Sequence, residues 1–570
     1  MVSVSSPLTS PVRSPRRLRP LAVFAIAPIA ILAASADGWW PDVRPAESLF
    51  VAAVALTVMA VFVLMTRRVL VAVVLTGALL AILRTASVAK QGVTDLPLHA
   101  YDLVTLSMSW PAQAALWMNH RSWILGLVAA VALSAMLAAV AWRFDGTRVR
   151  RRHALAAILV SVASVWLATV VRGERMHDEM FEVNSRLALF FASWNETSEA
   201  LIRGQVVEAA AGPGGAPLQV PAACNPSAKP PHIILIHEES VAQPSQFPGL
   251  SYDKSVDPFF HSHDGKLHKL RVETYGGASW LTEFSVLTGL SAHFSGGLRN
   301  FVQSVMAGKV RDTLPQALAR CGYRNIALYP MLRIYLSIDR FFTAVGIPEM
   351  LDARDQRAVL PNERDRFYFA NALGALDRHL KASQQPMFMF IETMAAHGSY
   401  DFTYMPEENV PGGGPGTLPH MHEYLRRLSM AQIDLNAFRG DLERRFPGER
   451  FLIVHYGDHQ PTATQPLLGF DKDAPVDVVM RSGKDEAFIT YYAVDGVRYA
   501  PPPLPPVDVL DVPYLGVVIL EAAGLPLSDV YRERKRLMKL CDGHYRGCEA
   551  RSEILKFHRR MIDSGLMDAL

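Results

Sequence analysis

The chain has 570 residues, half of which are hydrophobic, and its net charge is only +3. It is too long for one ordinary domain and too apolar for a protein that lies entirely in water. The weak net charge gives no reason to expect nucleic acid as a partner. With only four cysteines, any disulfides are few.

Five apolar runs at the N-terminal end predict transmembrane helices. They cover about 21–36, 49–65, 69–83, 123–142 and 154–171. Several are shorter than the roughly 20 residues that cross a bilayer, but flanking Ser, Thr, Trp or Arg at the interface can extend them. Helices of a soluble bundle would show polar stripes at helical spacing, and these runs have none. Residues 1–172 are therefore predicted to form a membrane domain.

The Arg and Lys residues near the ends of these runs predict the orientation. With the N-terminus inside, eleven basic residues fall on the cytoplasmic side and six on the other side. Five crossings then place everything after Val171 outside the cytoplasm. Arg16-Arg17, an apolar run and Ala34-Ser35-Ala36 also imitate a cleavable signal peptide, whose removal would not change the later topology.

Two further segments are predicted to lie at the edge of the membrane domain. Residues 99–120 are moderately apolar and contain Pro111, which fits either a helix in the outer interface or an ordinary extracellular loop. Residues 176–207 predict an amphipathic helix. Its apolar side consists of Phe181, Leu187, Phe190, Phe191 and Trp194. The Ala-, Gly- and Pro-rich sequence that follows predicts a linker, so 173–230 is assigned to helix and linker.

The remaining chain alternates between apolar strands and helical segments. The strands are "HIILI" (232–236), "NIALY" (325–329), "MFMFI" (387–391) and "FLIVHY" (451–456). Unbroken apolar strands separated by helices predict a mostly parallel sheet covered by helices on both faces. The predicted α/β domain covers 231–540, and 541–570 is predicted to be a C-terminal tail helix that packs on the domain or on the membrane surface.

Polar side chains follow three of these strands. Glu239 follows the first, His397 the third, and Asp458-His459 the last. Functional groups of such sheets gather beyond the carboxyl ends of the strands. A single polar residue at a strand end is usually a cap or turn residue, but three equivalent positions together predict a site.

The stretch "ETYGGASWLTEF" adds a hydroxyl to this set. Its two glycines allow a tight turn that exposes Ser279. Glu239, Asp458 and His459 supply two carboxylates and one imidazole, which suits one Mn²⁺ or Zn²⁺ ion. Three protein ligands leave a position for the oxygen of Ser279, and a bound cation lowers the pKa of a hydroxyl and makes it nucleophilic.

"HEES", "GGASW" followed by "TEF", "AAHG" and "YGDHQP" resemble motifs of the alkaline phosphatase superfamily. Within it, the chain is similar to membrane-anchored sulfatase-like transferases: lipoteichoic acid synthases, periplasmic-glucan phosphoglycerol transferases and lipid A phosphoethanolamine transferases. The resemblance covers about 230–530, and the five crossings with an exported domain are typical of the same enzymes. It implies a multi-pass protein of the bacterial inner membrane with a periplasmic or extracellular catalytic domain.

By position, the resemblance assigns a role to each candidate residue. Ser279 corresponds to the nucleophile, which is usually threonine. Glu239, Asp458 and His459 correspond to the metal ligands, and His397 to the histidine that contacts the transferred phosphate or handles its proton. Residues that are assigned to substrate binding with less support are Trp280, Thr282 and Arg333, for which packing, a helix cap and a solvated surface position are the alternatives.

The resemblance implies a phospholipid donor and a glycan or lipid acceptor. No cysteine lies near Ser279 and "GDHQP" lacks the "DHGES" continuation of phosphoethanolamine transferases, so phosphoglycerol transfer is favoured and phosphoethanolamine transfer comes next. "SWLT" also lacks the x-Pro-x-Arg of true sulfatases. The alternatives are a membrane-anchored phosphatase, phosphodiesterase or sulfatase-like hydrolase, and a non-catalytic envelope scaffold.

The cysteines fit an exported domain. Cys541 and Cys548 predict a disulfide that closes a small loop, with a metal site that includes His544 as the alternative. Cys224 and Cys321 form a second bridge or are free, and their spacing does not decide between the two.

Overall fold

The computed structural model of the chain describes residues 45–94, 96–108, 110–172, 186–202, 206–226, 229–333, 338–360 and 362–568. The first predicted membrane run, 21–36, and Phe181 lie outside the described residues. The chain divides into two compact units, one that contains most of the N-terminal helices and one that contains the sheet. The helices are α1 Pro45–Thr66, α2 Val69–Thr94, α3 Ala100–Met108, α4 Trp110–Phe144, α5 Arg151–Arg172, α6 Arg186–Ile202, α7 Trp280–Thr288, α8 Val302–Met306, α9 Leu314–Arg320, α10 Ile338–Ala344, α11 Ala353–Gln356, α12 Asp365–Ala382, α13 Pro419–Arg445, α14 Val476–Arg481, α15 Leu515–Ala522, α16 Asp529–Leu540 and α17 Arg551–Asp563.

Four of the described helices are long and apolar enough to cross a membrane. They are Ala46–Thr66, Val69–Gly92, His120–Phe144 and Arg151–Val171, with mean hydropathies between 2.3 and 2.6. Each contains one of the predicted runs, and α1 packs against α2 and α5. The segment 99–120 contains α3 and the first turns of α4, whose helical backbone is interrupted at His120. It is thus helical rather than an irregular loop.

The second unit is built on one eight-stranded sheet in the order β4-β3-β5-β1-β6-β7-β2-β8. The strands are β1 His232–Glu238, β2 His268–Arg271, β3 Arg324–Leu328, β4 Glu349–Leu351, β5 Met387–Thr393, β6 Phe451–Gly457, β7 Ile489–Val497 and β8 Val509–Asp511. β7 runs against both of its neighbours, and the others share one direction. The predicted fold class, a helical membrane bundle followed by a mostly parallel α/β domain, is confirmed.

Both faces of the sheet are covered because its central strands are apolar on both sides. On one face Ile234 and Ile391 belong to a core that includes side chains of α12 and α13. On the other face the ring of Phe390 lies 5.5 Å from that of Phe342. Helix α7, which follows Ser279, joins this second layer through Phe284.

The segment predicted as a linker is bound to the C-terminal tail. Its backbone N–H groups donate to Leu555, Asp563 and Ser564, the last from Leu218 at 2.8 Å. Helix α17 buries its apolar face, including Phe557, in the domain. Packing on the domain, one of the two predicted tail positions, is therefore the one observed.

Both cysteine pairs form disulfides, the predicted one and the one that the sequence left open. Cys541 is bonded to Cys548, which confirms the small loop and removes both sulfurs as thiolate ligands. Cys224 is bonded to Cys321, so the connecting segment is fixed to the end of α9. Disulfides of this kind persist outside the reducing cytoplasm.

Removing the Cys224–Cys321 bridge should destabilise the domain more than removing the Cys541–Cys548 bridge. The sequence separations are 97 and 7 residues. Loop-closure entropy gives about 5 kcal/mol for a loop of roughly 100 residues and about 2 kcal/mol for one of roughly 7. Denaturant unfolding of the full chain in detergent, followed by tryptophan fluorescence, should show a difference of about 2–3 kcal/mol between the two Cys→Ser double variants. Equal losses would contradict the loop-entropy account.

Candidate active site

A turn of three residues with positive φ delivers Ser279 to the start of α7. Gly276, Gly277 and Ala278 have φ angles of +66°, +152° and +64°. Glycine adopts such angles without steric cost, which explains the Gly-Gly pair. Ser279 itself is helical, with φ −48° and ψ −34°, and is half-buried. Its hydroxyl is therefore held in place yet accessible, at a helix N-terminus that favours negative charge.

Neighbouring strands deliver the carboxylates. β1 and β6 pair in parallel with Glu238 opposite Gly457, so Glu239 and Asp458 leave the sheet side by side. A Cβ on Gly457 would lie 1.7 Å from the carbonyl oxygen of Val241, and only glycine allows this approach. The Asp458 Oδ1 atom accepts from the backbone N–H of Ser240 at 2.7 Å, which fixes the turn after β1 to the turn after β6.

Four of the predicted residues converge at this edge. The Ser279 hydroxyl donates to Glu239 Oε2 at 2.6 Å and lies 3.4 Å from His459 Nε2. The same imidazole nitrogen lies 3.2 Å from Glu239 Oε1 and 3.4 Å from Asp458 Oδ2. Glu239, Asp458 and His459 are buried, so the charged groups face one another rather than water.

These separations fit a divalent cation. Two ligands about 2.0–2.1 Å from one tetrahedral ion are about 3.3 Å apart, close to the distances from His459 Nε2. The carbonyl of Gln460 lies 2.9 Å from His459 Nδ1 and can only accept, so Nδ1 carries a hydrogen, and Nε2 is the atom that would bind a cation in exchange for its own proton. Asp458 Oδ2 is buried and has no hydrogen-bond partner among the described residues. The donor set of Glu239, Asp458, His459 and Ser279 suits Mn²⁺ or Zn²⁺.

The electrostatics of the cluster favour charge separation. Burial alone would raise the pKa of the Glu239 carboxyl, but the charge of His459 and hydrogen bonds from His459 and Ser279 bring it well below its usual range. Burial would lower the pKa of His459, yet the carboxylates of Asp458 and Glu239 raise it to about 9. The carboxylates thus attract positive charge to the position that a cation would occupy.

His397 lies beside this cluster, in the loop after β5. Its Nδ1 is 2.6 Å from the carbonyl oxygen of Gly398, which can only accept, so Nε2 is left for another partner. His397 is close enough to Glu239 for its charge to lower the pKa of that carboxyl. The buried guanidinium of Arg427 donates to the carbonyls of His397 and Ser399 and so holds the loop.

The three residues assigned to substrate binding have protein partners. Trp280 Nε1 donates to the carbonyl of Asn300 at 3.1 Å, and the buried Thr282 hydroxyl donates to the carbonyl of Asp458 at 2.8 Å. The guanidinium of Arg333 pairs with Asp352 and Asp355. In the described part of the chain, Arg333 makes no hydrogen bond or ion pair with the four-residue cluster. Their contact with a substrate stays a prediction.

The structure adds residues to which the sequence assigned no role. His237 Nε2 lies 3.4 Å from Asp458 Oδ2, and His237, Glu239 and Asp458 can together hold a metal ion. The signal is its position at the carboxyl end of β1, two residues before Glu239, where such sheets gather their functional groups. Asn362, whose side chain lies 3.3 Å from His397 Nδ1, gives no such signal.

Residues 231–485 match the family model described as Sulfatase. An uncharacterized protein of Haemophilus influenzae is 26% identical over 340 residues, which cover 56% of this chain. The chain spans 58% of the length of that curated relative.

Several solved structures are similar at low identity. The Streptococcus pyogenes phosphoglycerol transferase GacH, in complex with sn-glycerol-1-phosphate, is 17% identical with a TM-score of 0.46 and covers 59% of this chain and 89% of its own. The phosphoethanolamine transferase EptA of Neisseria meningitidis is 10% identical with a TM-score of 0.46 and covers 89% of this chain and 97% of its own. The lipoteichoic acid synthase LtaP of Listeria monocytogenes is 14% identical with a TM-score of 0.38 and covers 54% of this chain and 71% of its own. The activity of this chain is therefore inferred from the geometry of its own site.

Gly457→Ala should displace the carboxylates of Glu239 and Asp458. The added methyl meets the Val241 carbonyl, so the turns after β1 and β6 must separate, at a cost of about 1–3 kcal/mol. We expect a lower melting temperature and weaker Mn²⁺ binding in isothermal titration of the full chain. Gly249→Ala is the matched control, because a Cβ there meets nothing within 4 Å. Unchanged Mn²⁺ affinity in Gly457→Ala would contradict the assigned role of this contact.

Proposed function

We propose that this chain, whose residues 231–485 match the family model described as Sulfatase, is a membrane-anchored phosphotransferase. It moves the headgroup phosphate of a phospholipid, phosphoglycerol before phosphoethanolamine, to a glycan or lipid hydroxyl of the cell envelope. It acts from the bacterial inner membrane, with the catalytic domain on the periplasmic or extracellular side. The observation that carries the proposal is the half-exposed Ser279 hydroxyl, 2.6 Å from Glu239 and 3.4 Å from His459, at the start of a helix.

One divalent cation, Mn²⁺ or Zn²⁺, fits the donor set of Glu239, Asp458, His459 and Ser279. When bound, it supplies positive charge that lowers the pKa of the serine hydroxyl and stabilises the charge of a phosphoryl group. The buried Asp458 is oriented by two backbone N–H groups, those of Ser240 and His459. Its free Oδ2 and the Nε2 atom of His459 are therefore held in place before any ligand arrives.

The first half of the reaction forms a covalent phospho-serine. The Oγ atom of Ser279 attacks phosphorus, the new Oγ–P bond forms, and the bond from phosphorus to the glycerol oxygen of diacylglycerol breaks. Glu239 Oε2 already accepts the hydroxyl hydrogen bond and so receives the serine proton. The leaving oxygen takes a proton from Nε2 of His397, which enters this step as the imidazolium because its Nδ1–H is directed at the carbonyl of Gly398.

The second half reverses these proton movements. An acceptor hydroxyl gives its proton to His397 and attacks phosphorus from the side that diacylglycerol left. The Oγ–P bond breaks, and Ser279 recovers its proton from Glu239. Because both residues return to their starting states, the cycle needs no further acid or base. The N-terminus of α7 favours the negative charge that the phosphoryl group carries throughout.

Exposed apolar side chains beside His397 favour a lipid donor over a soluble one. Val359 and Phe402 are 87% and 54% exposed, and Leu360 is exposed as well. Val359 and Leu360 shortly precede Asn362, whose side chain contacts His397. The guanidinium of Arg427 donates to the carbonyl of His397 and also lies over the ring of Phe402. We name Val359, Leu360 and Phe402 the apolar rim. Such a rim is suited to contact with acyl chains at a membrane surface.

Ser279→Ala should lower turnover by at least about a thousandfold, or about 4 kcal/mol of barrier. Headgroup transfer from phosphatidylglycerol vesicles by the full chain measures this. Intact-mass analysis after acid quench should show one added glycerophosphoryl or phosphoethanolamine group on the wild type and none on the variant. Ser255→Ala is the control, because this serine is exposed and its hydroxyl makes no contact in the site.

The outcomes separate the candidate functions. Retained transfer in Ser279→Ala would refute the nucleophile. If the headgroup is released only to water and no supplied acceptor is modified, the protein is a phosphodiesterase instead. Full complementation of a deletion strain by Ser279→Ala would assign a non-catalytic scaffold.

Val359→Ser should raise KM for vesicles several-fold and leave KM for a short-chain, water-soluble analogue unchanged, because only the vesicle substrate contacts the apolar rim. Leu540→Ser is the control, since Leu540 is likewise exposed, at 50%, but lies at the end of α16. Equal KM values for the two substrates in Val359→Ser would contradict the role of the rim.

A further inference from the structure

One buried arginine holds the backbone of the loop that carries His397. Residues 394–404 contain neither helix nor strand, so regular secondary structure does not fix them. Three of their carbonyl oxygens accept hydrogen bonds from one guanidinium, that of Arg427. These oxygens belong to His397, Ser399 and Phe402, the last two at 2.9 and 3.5 Å. The position of His397 therefore depends on a side chain from α13.

Arg427 is itself fixed, because its charge is paired inside the domain. It is 1% exposed, and its Nε atom donates to Glu423 Oε1 at 2.8 Å. The same carboxylate oxygen accepts from the backbone N–H of Tyr404 at 2.8 Å, at the far end of the loop. A buried ion pair is tolerated where further hydrogen bonds satisfy both groups, as they do here. Glu423 thus holds both the guanidinium and the end of the loop.

Three aromatic rings of the same loop surround the guanidinium. The ring centroids of Tyr400, Phe402 and Tyr404 lie 5.1, 5.1 and 5.2 Å from its central carbon. A guanidinium is planar and carries five donors in a rigid arrangement, so it can contact aromatic rings and several carbonyls at once. The ammonium group of a lysine is a compact charge without this geometry. Arg427→Lys should therefore loosen the loop although it keeps the charge.

The imidazole of His397 is oriented by residues that contact this loop or belong to it. Its Nδ1 atom lies 2.6 Å from the carbonyl oxygen of Gly398 and 3.3 Å from the side-chain nitrogen of Asn362. The backbone carbonyl of Asn362 accepts from the Tyr404 hydroxyl at 2.9 Å. Both neighbours of Nδ1 are therefore held through the loop that Arg427 fixes, and Nε2 is the nitrogen that faces a substrate.

We propose that Arg427 is a positioning residue for the acid step of the proposed reaction, on which this inference rests. It keeps Nε2 of His397 within reach of the oxygen that leaves phosphorus, and it contacts no substrate itself. In this step the proton passes from Nε2 to the oxygen of diacylglycerol while the bond from that oxygen to phosphorus breaks. Displacing a reacting group by about 1 Å can lower a rate about a hundredfold. Loss of Arg427 should thus slow those reactions in which the leaving oxygen needs a proton.

Arg427→Lys tests this with two soluble substrates, which do not need the apolar rim. One is a short-chain phosphatidylglycerol, whose leaving alkoxide must be protonated. The other is the p-nitrophenyl ester of glycerol phosphate, whose nitrophenolate leaves without a proton. Release of the leaving group is followed in a single turnover, with the full chain in detergent and in excess, so that the second half of the reaction does not contribute. The rate constant should fall about a hundredfold for the phospholipid and less than about threefold for the nitrophenyl ester.

Two further variants serve as references. His397→Gln should show the same contrast between the substrates, because a general acid contributes about 100- to 10,000-fold. The double variant Arg427→Lys–His397→Gln should be no slower with the phospholipid than His397→Gln alone, since residues that serve one proton transfer are not additive. Arg364→Lys is the matched control and should change both rates by the same factor. The guanidinium of Arg364 is also buried, but it pairs with Asp434 and Glu408 and makes no hydrogen bond to residues 394–404 in the described part of the chain.

Equal losses with both substrates in a folded Arg427→Lys, or a further loss in the double variant, would overturn the proposal. If the melting temperature shows that Arg427→Lys does not fold, Tyr404→Phe decides instead. It removes only the hydroxyl that holds Asn362, and it should lower the phospholipid rate alone by several-fold. Equal rates for Tyr404→Phe and the wild type would then overturn the proposal.

Failure of the proposed function has a different outcome. A wild type that releases neither leaving group, or His397→Gln without the contrast, would refute the proposed reaction or its acid, and this inference with it. If the wild type and His397→Gln behave as expected and only Arg427→Lys lacks the contrast, the proposed function stands and the role of Arg427 is refuted.

Discussion

The parallel pairing of β1 with β6 is the constraint on which the site depends. It places Glu238 opposite Gly457, so the next residue on each strand carries a carboxylate into the same small space. The bond from the Ser240 N–H to Asp458 Oδ1 and the close approach of Gly457 to Val241 then leave the two turns no freedom to separate. Two carboxylates held together in a buried place are unfavourable unless positive charge joins them. The register of two strands therefore creates a buried place that favours positive charge.

Ser279, the proposed nucleophile, comes from a different part of the structure and has different requirements. Ser279 must be near the carboxylates yet open to a substrate, and a helix start satisfies both needs. The three left-handed residues before it change the chain direction sharply, and α7 then anchors the serine through Thr282 and Phe284. The structure thus separates a buried pair of carboxylates from a hydroxyl that a substrate can reach, as the proposed reaction requires.

The sequence predicts four of the eight strands, β1, β3, β5 and β6, because each is an unbroken apolar run, and this pattern depends on neighbouring residues alone. β2, β4 and β8 have only three or four residues and β7 contains polar ones, so the sequence does not indicate them. Polar residues directly after three of the apolar runs indicate Glu239, His397, Asp458 and His459. His237 has no role in the sequence analysis because its proximity to Asp458 depends on which strands pair, and a single sequence does not contain that information. The segment predicted as a linker shows a similar limit: its composition predicts an irregular backbone, but not the hydrogen bonds that fix it to the tail.

The Cys224–Cys321 disulfide encloses both Glu239 and Ser279 and excludes Asp458 and His459. A polypeptide delivered across a membrane with its N-terminal end first presents Cys321 well before residue 458. An oxidising compartment could thus close the loop that carries Ser279 and Glu239 before Asp458 and His459 arrive. The positions of the two sulfurs along the chain therefore allow one half of the candidate site to be enclosed before the other half has been delivered.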